Sequence, residues 1–105
     1  MRGEIYRLRA GRSTQGHEQR GSRYAVVVQS DHLLLSTLLV APTSTRARPT
    51  EFRPRIEIAG TTTYVLVEQT TAVNAETRIG DSAGRLSAAD MAAIDRALAL
   101  VFGLF

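Results

Sequence analysis

The sequence predicts a single, mostly-β domain that is closed by a C-terminal α-helix. Short segments rich in β-branched residues recur between glycine, proline and serine positions over most of the chain. The C-terminal stretch instead repeats its apolar side chains at helical spacing. With 105 residues, the chain is large enough for one hydrophobic core and has few residues to spare. We therefore assign residues 1–105 to one domain, and a core this small favours a homodimer.

Five segments carry strand signals, and turn residues separate them. They cover residues 3–9, 24–29, 34–41, 55–58 and 63–69. The second segment is apolar at successive positions and is expected to be buried on both faces. Pro42 has no N–H to donate and is expected to end the pairing of the third strand. Residues 72–84 carry little signal beyond a short helical turn near Arg78.

The final helix is predicted to begin at Ser87, whose hydroxyl can cap the backbone N–H of Asp90. Gly103 is expected to end it. An apolar stripe at helical spacing should pack against the sheet, and it consists of Met91, Ile94, Leu98 and Val101.

The composition limits the chemistry that the chain can carry. It contains no cysteine and only two histidines, which excludes a disulfide framework and a thiolate metal site. We expect no cofactor, and any catalysis should be metal-independent or use oxygen ligands. One of the histidines, His32, follows Asp31 in a turn and is expected to be a surface hydrogen-bond partner rather than an acid or base.

The basic residues are all arginine and are unevenly distributed. Residues 1–55 hold ten arginines against four acidic residues, whereas residues 56–105 hold three against six. This asymmetry predicts an electropositive face for a polyanion, because the planar guanidinium matches phosphate. The alternative is that many of these arginines are simply solvated.

The arginines concentrate in two loops. The first, residues 10–22, displays Glu18, Gln19 and Arg20 between two glycines and leads into Arg23 at the start of a buried strand. The second, residues 46–55, holds four arginines and two prolines around Phe52. It is interpreted either as a grip on single-stranded nucleic acid, by charge and base stacking, or as a solvated flexible flap.

The first of these loops carries a motif. Gly16-x-Glu18-Gln19-x-Gly21-x-Arg23, followed by the apolar strand, resembles the G-S-E-Q-x-G-x-R-P-x-V-V signature of the MazF/PemK family of toxin endoribonucleases. Residues 2–6, 40–45, 68–69 and 85–98 are similar to further family segments in the same order. Two positions depart from the pattern. Tyr24 replaces the usual proline, and Ser44 stands where the catalytic threonine normally lies.

The resemblance implies a compact SH3-like β-barrel of the CcdB/MazF type with a C-terminal helix, assembled as a homodimer. It implies a toxin of a type II toxin–antitoxin pair that cleaves single-stranded RNA sequence-specifically, without a metal or cofactor, through attack of the 2′-OH. The products would carry a 2′,3′-cyclic phosphate and a 5′-hydroxyl. The neutralising partner would be a MazE-like antitoxin with an acidic segment lying over the basic groove.

The resemblance also assigns roles to residues. Arg23 would stabilise charge on the phosphoryl oxygens, and Ser44, or else Thr43 or Thr45, would donate a further hydrogen bond. Glu18 is the proposed general base. The remaining RNA contacts would come from Gln19, Arg20, Arg46, Arg48 and Gln69. The arginine that commonly lies two positions beyond this last residue is replaced by Thr71.

Other interpretations stay open. Relatives of the CcdB type bind DNA gyrase instead of cutting RNA, and a catalytically inactive interaction barrel is a third possibility. Arg23 could also serve only to pair with Glu18 or Glu68, and Ser44 only to cap a strand.

The location is expected to be cytoplasmic, with no membrane contact. The first residues are polar and arginine-rich without an apolar segment, and the longest apolar runs are too short to span a bilayer.

Overall fold

A computed structural model describes residues 1–9 and 23–104. Within them, antiparallel strands curl into a half-barrel that a C-terminal helix covers, which confirms the mostly-β fold expected from the sequence. The strands are β1 Glu4–Leu8, β2 Arg23–Val27, β3 Thr37–Ser44, β4 Arg55–Ile58, β5 Thr61–Val65, β6 Thr71–Asn74 and β7 Ile79–Arg85. The helices are α1 Ala75–Arg78 and α2 Ala88–Phe102, and Val67–Gln69 form a 3₁₀ turn.

The central strand is β3, which takes part in both halves of the curled sheet. The path of paired strands runs β4-β5-β3-β2-β1-β7, and β6 also pairs with β3. One edge of β3 pairs with β2. The other edge pairs first with β6, over Thr37–Val40, and then with β5 at Thr43 and Ser44. This change of partner turns the sheet away from a plane.

Both faces of β2 are buried, as its apolar run predicts. Val26 and Val28 lie in the main core with residues of α2, whereas Ala25 and Val27 lie in a second cluster on the opposite face. The main core contains Val65 and Ile94, and both are fully buried. Because side chains alternate along a strand, a continuous apolar run is what a strand between two cores requires.

The predicted caps of α2 are confirmed. The Ser87 hydroxyl accepts a hydrogen bond from the Asp90 backbone N–H at 3.1 Å, and Gly103 takes a left-handed conformation with φ of 70°. The predicted stripe is only partly correct, since Ile94 is buried but Val101 is 38% exposed. Ala97 is buried in its place. The helix therefore packs on the sheet through its middle turns and leaves its C-terminal end uncovered.

The third strand begins and ends three residues later than the sequence predicts, at Thr37 and Ser44. Leu34 is 95% exposed and lies before β3, and Pro42, which was expected to stop pairing, lies inside the strand opposite Ala25. The Pro42 carbonyl accepts a hydrogen bond from the Leu66 N–H at 2.8 Å. A residue's N–H and C=O point to the same edge of a strand, so the missing donor faces the junction between β6 and β5. A proline is tolerated there because neither neighbouring strand requires its N–H.

The segments beyond residue 65 also differ from expectation. The fifth strand was expected to reach Gln69, but it ends at Val65 and a 3₁₀ turn follows. The weakly patterned stretch after it forms β6, α1 and β7. Asn74 caps α1 by accepting from the N–H groups of Glu76 and Thr77. No helix in the described part of the chain is long and apolar enough to cross a bilayer.

Candidate active site

An open cleft of about 530 Å³ lies where the end of β3, the start of β2 and the β4–β5 hairpin meet. Five of the site residues predicted from the sequence line it together, namely Arg23, Thr43, Ser44, Thr45 and Arg46. Tyr24 of β2 also lines the cleft. The β4–β5 hairpin forms the opposite wall with Ile58, Ala59, Thr61 and Thr63.

Arg23 is held by secondary structure on the cleft wall. It is the first residue of β2, pairs with Leu8 of β1 and is half-buried. Burial lowers the pKa of its guanidinium below the usual value, but an arginine side chain stays protonated at neutral pH. No carboxylate of residues 1–9 or 23–104 lies within ion-pair distance of it. Within that part of the protein, the cleft therefore contains a fixed positive charge that no acidic residue compensates.

Ser44 lies on the same face of the sheet as Arg23. The pairing of β2 with β3 ends at Ala25 and Pro42, and Arg23 and Ser44 each lie two residues beyond that pair. Because side chains alternate along a strand, both belong to the face that carries Ala25 and Pro42. The Ser44 Oγ accepts a hydrogen bond from the Arg46 backbone N–H at 3.1 Å. Because this contact uses an acceptor lone pair, the hydroxyl proton remains available to donate.

The two neighbouring threonines differ from Ser44 in their surroundings. Thr43 is only 4% exposed, and its hydroxyl donates to the Tyr24 carbonyl at 2.8 Å. That bond ties the end of β3 to the residue that follows Arg23. Thr45 is exposed at the mouth of the cleft.

The segment from residue 46 to residue 54, here called the arginine loop, is tied to the barrel through Arg53. Its guanidinium donates to the Glu68 carboxylate at 2.6 and 3.0 Å and to the Arg48 carbonyl at 3.2 Å. Phe52 is half-buried, with its ring packed partly against the main core and 5.6 Å from the Arg53 guanidinium carbon. Arg46 and Arg48 keep exposed side chains on this anchored loop.

Glu68 therefore pairs with Arg53 and not with Arg23. Burial raises the pKa of the Glu68 carboxyl. The hydrogen bonds and the charge of Arg53, together with hydrogen bonds from the Glu68 backbone and the Gln69 side chain, lower it by more in total, so the pKa lies below its ordinary value. The second carboxylate oxygen, Oε1, is buried and has no partner within the described residues. Gln69 is exposed on the 3₁₀ turn, and neither Gln69 nor Arg48 lines the cleft.

The remaining predicted site residues, Glu18, Gln19 and Arg20, lie outside the described residues. Within the described ranges, no three His, Asp or Glu side chains come together as a metal-binding group.

The sequence reasoning missed part of the cleft. Thr61 and Thr63 were assigned no role, and no local signal marks them, because only the pairing of β5 with β3 brings them to this wall. Tyr24 was noted solely as a departure from the motif. It nevertheless lines the cleft.

Comparison with known proteins identifies the family. A family model described as PemK-like, MazF-like toxin of type II toxin–antitoxin system matches residues 1–102. A Mycobacterium tuberculosis (strain H37Rv) protein with the name Putative toxin Rv3098A is 41% identical over 104 residues, covering 99% of this chain and 98% of that protein.

Two solved structures share the fold at low sequence identity. An endoribonuclease in complex with its cognate antitoxin, from a mycobacterial species, gives a TM-score of 0.81 at 21% identity over 100% of this chain and 96% of that chain. The Mycobacterium tuberculosis toxin MazF-mt6 gives 0.76 at 16% identity over 95% of this chain and 96% of that chain. The resemblance read from the motif is thereby confirmed, and the chain belongs to the PemK-like, MazF-like family of toxins of type II toxin–antitoxin systems.

Proposed function

We propose that this toxin is a sequence-specific endoribonuclease that cleaves single-stranded RNA through attack of the ribose 2′-OH on the adjacent phosphorus. The observation that carries the proposal is the half-buried Arg23 cation, which faces the cleft without an acidic partner among the described residues and lies on the same sheet face as the Ser44 hydroxyl. RNA supplies its own nucleophile, so the protein needs to align the 2′-OH and stabilise the charge that develops on the phosphoryl oxygens.

Each cleft residue has a role in this scheme. Arg23 donates two parallel hydrogen bonds to the phosphoryl oxygens, and Ser44 donates a third. Thr43 holds the backbone beside Arg23 and does not contact the phosphate, because its hydroxyl is buried and already donated to Tyr24. Thr45, Arg46 and Arg48 extend the positive surface along the RNA backbone.

The residues beyond the cleft keep the roles that the family resemblance gives them. Glu18 takes the proton from the 2′-OH, Gln19 and Gln69 read base edges, and Arg20 contacts the RNA backbone. The P–O5′ bond breaks as the P–O2′ bond forms, so the phosphate remains as the 2′,3′-cyclic ester. The 5′-oxygen takes a proton from water and leaves as a hydroxyl. No metal ion and no cofactor takes part in this scheme.

The toxin is further expected to be neutralised by a MazE-like antitoxin. The solved complex of an endoribonuclease with its cognate antitoxin, which shares this fold, supports such a partner. The N-terminal half of this chain carries the excess of arginine over acid, so an acidic segment is the complement expected over the cleft.

A homodimer is the assembly that fits the exposed apolar surface. Phe102 is 63% exposed and Leu104 is 72% exposed at the uncovered end of α2. Side chains of this size are usually buried, and a second copy of the chain would cover them. Light scattering of the purified protein, compared with Phe102→Ser, tests this assignment.

The nuclease assignment is tested by incubating purified protein with a long single-stranded RNA, with and without excess EDTA, and mapping the cut ends. Cleavage at one recurring short sequence, with cyclic-phosphate ends and insensitivity to EDTA, is the expected result. Arg23→Ala should lower the rate by about 100-fold or more, since it removes a preorganised charged donor. Arg96→Ala is the matched control, because Arg96 is exposed on α2 and does not line the cleft.

Two outcomes would overturn the proposal. Intact RNA in the presence of folded wild-type protein would exclude the nuclease, and a gyrase supercoiling assay on the same sample would then test the CcdB-type activity. Equal cleavage by the wild-type protein and folded Arg23→Ala would remove Arg23 from the mechanism.

A further inference from the structure

One contact at the border of the cleft has no role in the proposed cleavage. It joins Tyr24, which lines the cleft, to Arg7, which does not line it. Tyr24 lines the cleft directly beside Arg23, and its ring packs partly against the main core. It stands at the position where the family motif usually has proline, so this chain has an aromatic ring where its relatives usually have none.

Arg7 is fixed over that ring from the neighbouring strand. The β1–β2 register places Arg7 opposite Tyr24, and the guanidinium carbon lies 5.1 Å from the ring centroid. A terminal nitrogen of Arg7 also donates to the Tyr24 hydroxyl at 3.0 Å. These two contacts hold the planar guanidinium in one orientation, so less conformational entropy is lost when a ligand binds it.

The Arg7 side chain nevertheless remains open to a ligand. The residue is exposed, and no carboxylate within residues 1–9 and 23–104 forms an ion pair with it. It therefore combines a positive charge, a planar surface and unused N–H donors beside Tyr24, at the border of the cleft. A ligand that matches all three features carries a flat aromatic group adjacent to a phosphate, which describes a nucleotide of single-stranded RNA.

We propose that Arg7 and Tyr24 form a base-binding subsite, on which one unpaired base of an RNA bound in the cleft stacks against the Arg7 guanidinium. This inference rests on the proposed RNA-cleaving function and adds the element that selects where along the RNA the protein binds. Tyr24 acts as the support that orients Arg7, and Arg7 contacts the base.

The competing explanation is that the pair only fastens β1 to β2. Arg7→Lys separates the two explanations, because lysine keeps the charge but has no planar surface for stacking. Arg96→Lys is the matched control on α2. The matching change in the RNA replaces one nucleotide with an abasic one. Combining it with the change in the protein gives a double-perturbation cycle, in which non-additive losses of affinity show that the base and the side chain interact.

The probe is a short, 2′-O-methylated RNA that cannot be cleaved, carrying the sequence that the wild-type protein selects from a random pool. Its affinity is measured by fluorescence anisotropy for the intact RNA and for versions that are abasic at each position in turn. We expect Arg7→Lys to weaken binding of the intact RNA about tenfold, as loss of one stacked base does. At one position, the abasic change should weaken RNA binding by the wild-type protein to the same extent and should cause no further loss of affinity in Arg7→Lys. Arg96→Lys should bind each RNA as the wild-type protein does.

The outcomes distinguish this inference from the proposed function. Coupling at one position without any cleavage of unmodified RNA would support the subsite and overturn the nuclease. Cleavage by the wild-type protein with additive losses at every position, or wild-type binding by Arg7→Lys, would overturn the subsite and leave the nuclease intact. If Arg7→Lys does not fold, Tyr24→Leu replaces it in the same cycle, since leucine keeps apolar packing but removes the ring that supports the guanidinium.

Discussion

The substitution Thr43→Val tests which hydroxyl of the cleft acts on the substrate. Thr43 and Ser44 are adjacent in β3, yet their side chains lie in different surroundings. The Thr43 hydroxyl is buried and donates to the Tyr24 carbonyl at 2.8 Å, whereas the Ser44 hydroxyl accepts from Arg46 and retains its proton for a ligand. We therefore expect Thr43 to contribute to stability and Ser44 to contribute to catalysis.

The magnitude for Thr43→Val follows from this contact. Valine has nearly the shape of threonine, so the change mainly removes one buried hydrogen bond, which typically contributes about 1 kcal/mol to the free energy of unfolding. In a domain of this size such a loss lowers the melting temperature by about 4–8 °C. The cleavage rate of the folded protein should fall only a few-fold, through a small displacement of the backbone beside Arg23.

Ser44→Ala is the matched comparison, and the expected result is the reverse. Ser44 is half-exposed, so the free energy of unfolding should change by no more than about 0.5 kcal/mol. The turnover number should fall by about 100-fold, because a donor to the phosphoryl oxygens is lost. Thermal unfolding and single-turnover cleavage of a defined RNA measure the two quantities on the same samples. A 100-fold lower cleavage rate in Thr43→Val, at an unchanged melting temperature, would refute the assignment of the two hydroxyls.

Three further predictions concern stability. Ile94→Ala, at the fully buried centre of the main core, should lower the free energy of unfolding by about 2–5 kcal/mol in a urea titration, and a loss below 1 kcal/mol would contradict the packing of α2 on the sheet. Ala59→Gly should raise the melting temperature, since Ala59 has φ of 50° in the two-residue turn of the β4–β5 hairpin and this conformation costs a non-glycine residue about 1 kcal/mol; a lower melting temperature would argue against that turn. The pKa of Glu68 is lower in the folded than in the unfolded state. Its pairing with Arg53 therefore stabilises the fold fully above the unfolded-state pKa of about 4.3, and this stabilisation is lost as the pH falls through the folded-state pKa. The stability difference between the wild-type protein and Glu68→Gln should accordingly be largest at neutral pH and shrink in acid, and a difference that stays constant down to pH 2 would contradict the pairing.

The strands that could be predicted from the sequence are those whose burial repeats along the chain. The run through Val26 and Val27 and the alternation at Ile56 and Ile58 both reflect packing that is regular along a strand. In β7 the residues beyond Gly80 are exposed, so hydrophobic periodicity gives no signal there. Its existence depends on pairing with β1, which lies far away in the sequence.

The errors at Pro42 and Val101 have the same physical origin. A rule about proline in strands considers one residue, but whether its missing N–H matters depends on which strand borders that edge. Likewise, helical spacing identifies the apolar face of α2 but not where the underlying sheet ends. Both outcomes depend on tertiary contacts that local pattern does not contain.

The cleft was partly predictable because its chemistry is concentrated in two short segments. Arg23 and Ser44 were selected by the motif, and the register of β2 and β3 brings them to the same face. Arg53 was not recognised as the residue that holds Glu68, because an ion pair between a loop and a 3₁₀ turn leaves no trace in local spacing. Arg7 was likewise missed, since only the pairing of β1 with β2 places it over Tyr24.

The position of the cleft follows from the way β3 exchanges its partners. The pairing of β3 with β2 ends at Pro42, and β5 pairs with the next two residues on the opposite edge. A strand that loses one neighbour as it gains another leaves an opening where the two sheet halves diverge, and the polar end of β3 borders that opening. The β4–β5 hairpin then closes the far wall with threonine side chains. A proline inside β3 therefore suits this site, because it lies at the exchange, where neither neighbouring strand needs the N–H that proline lacks.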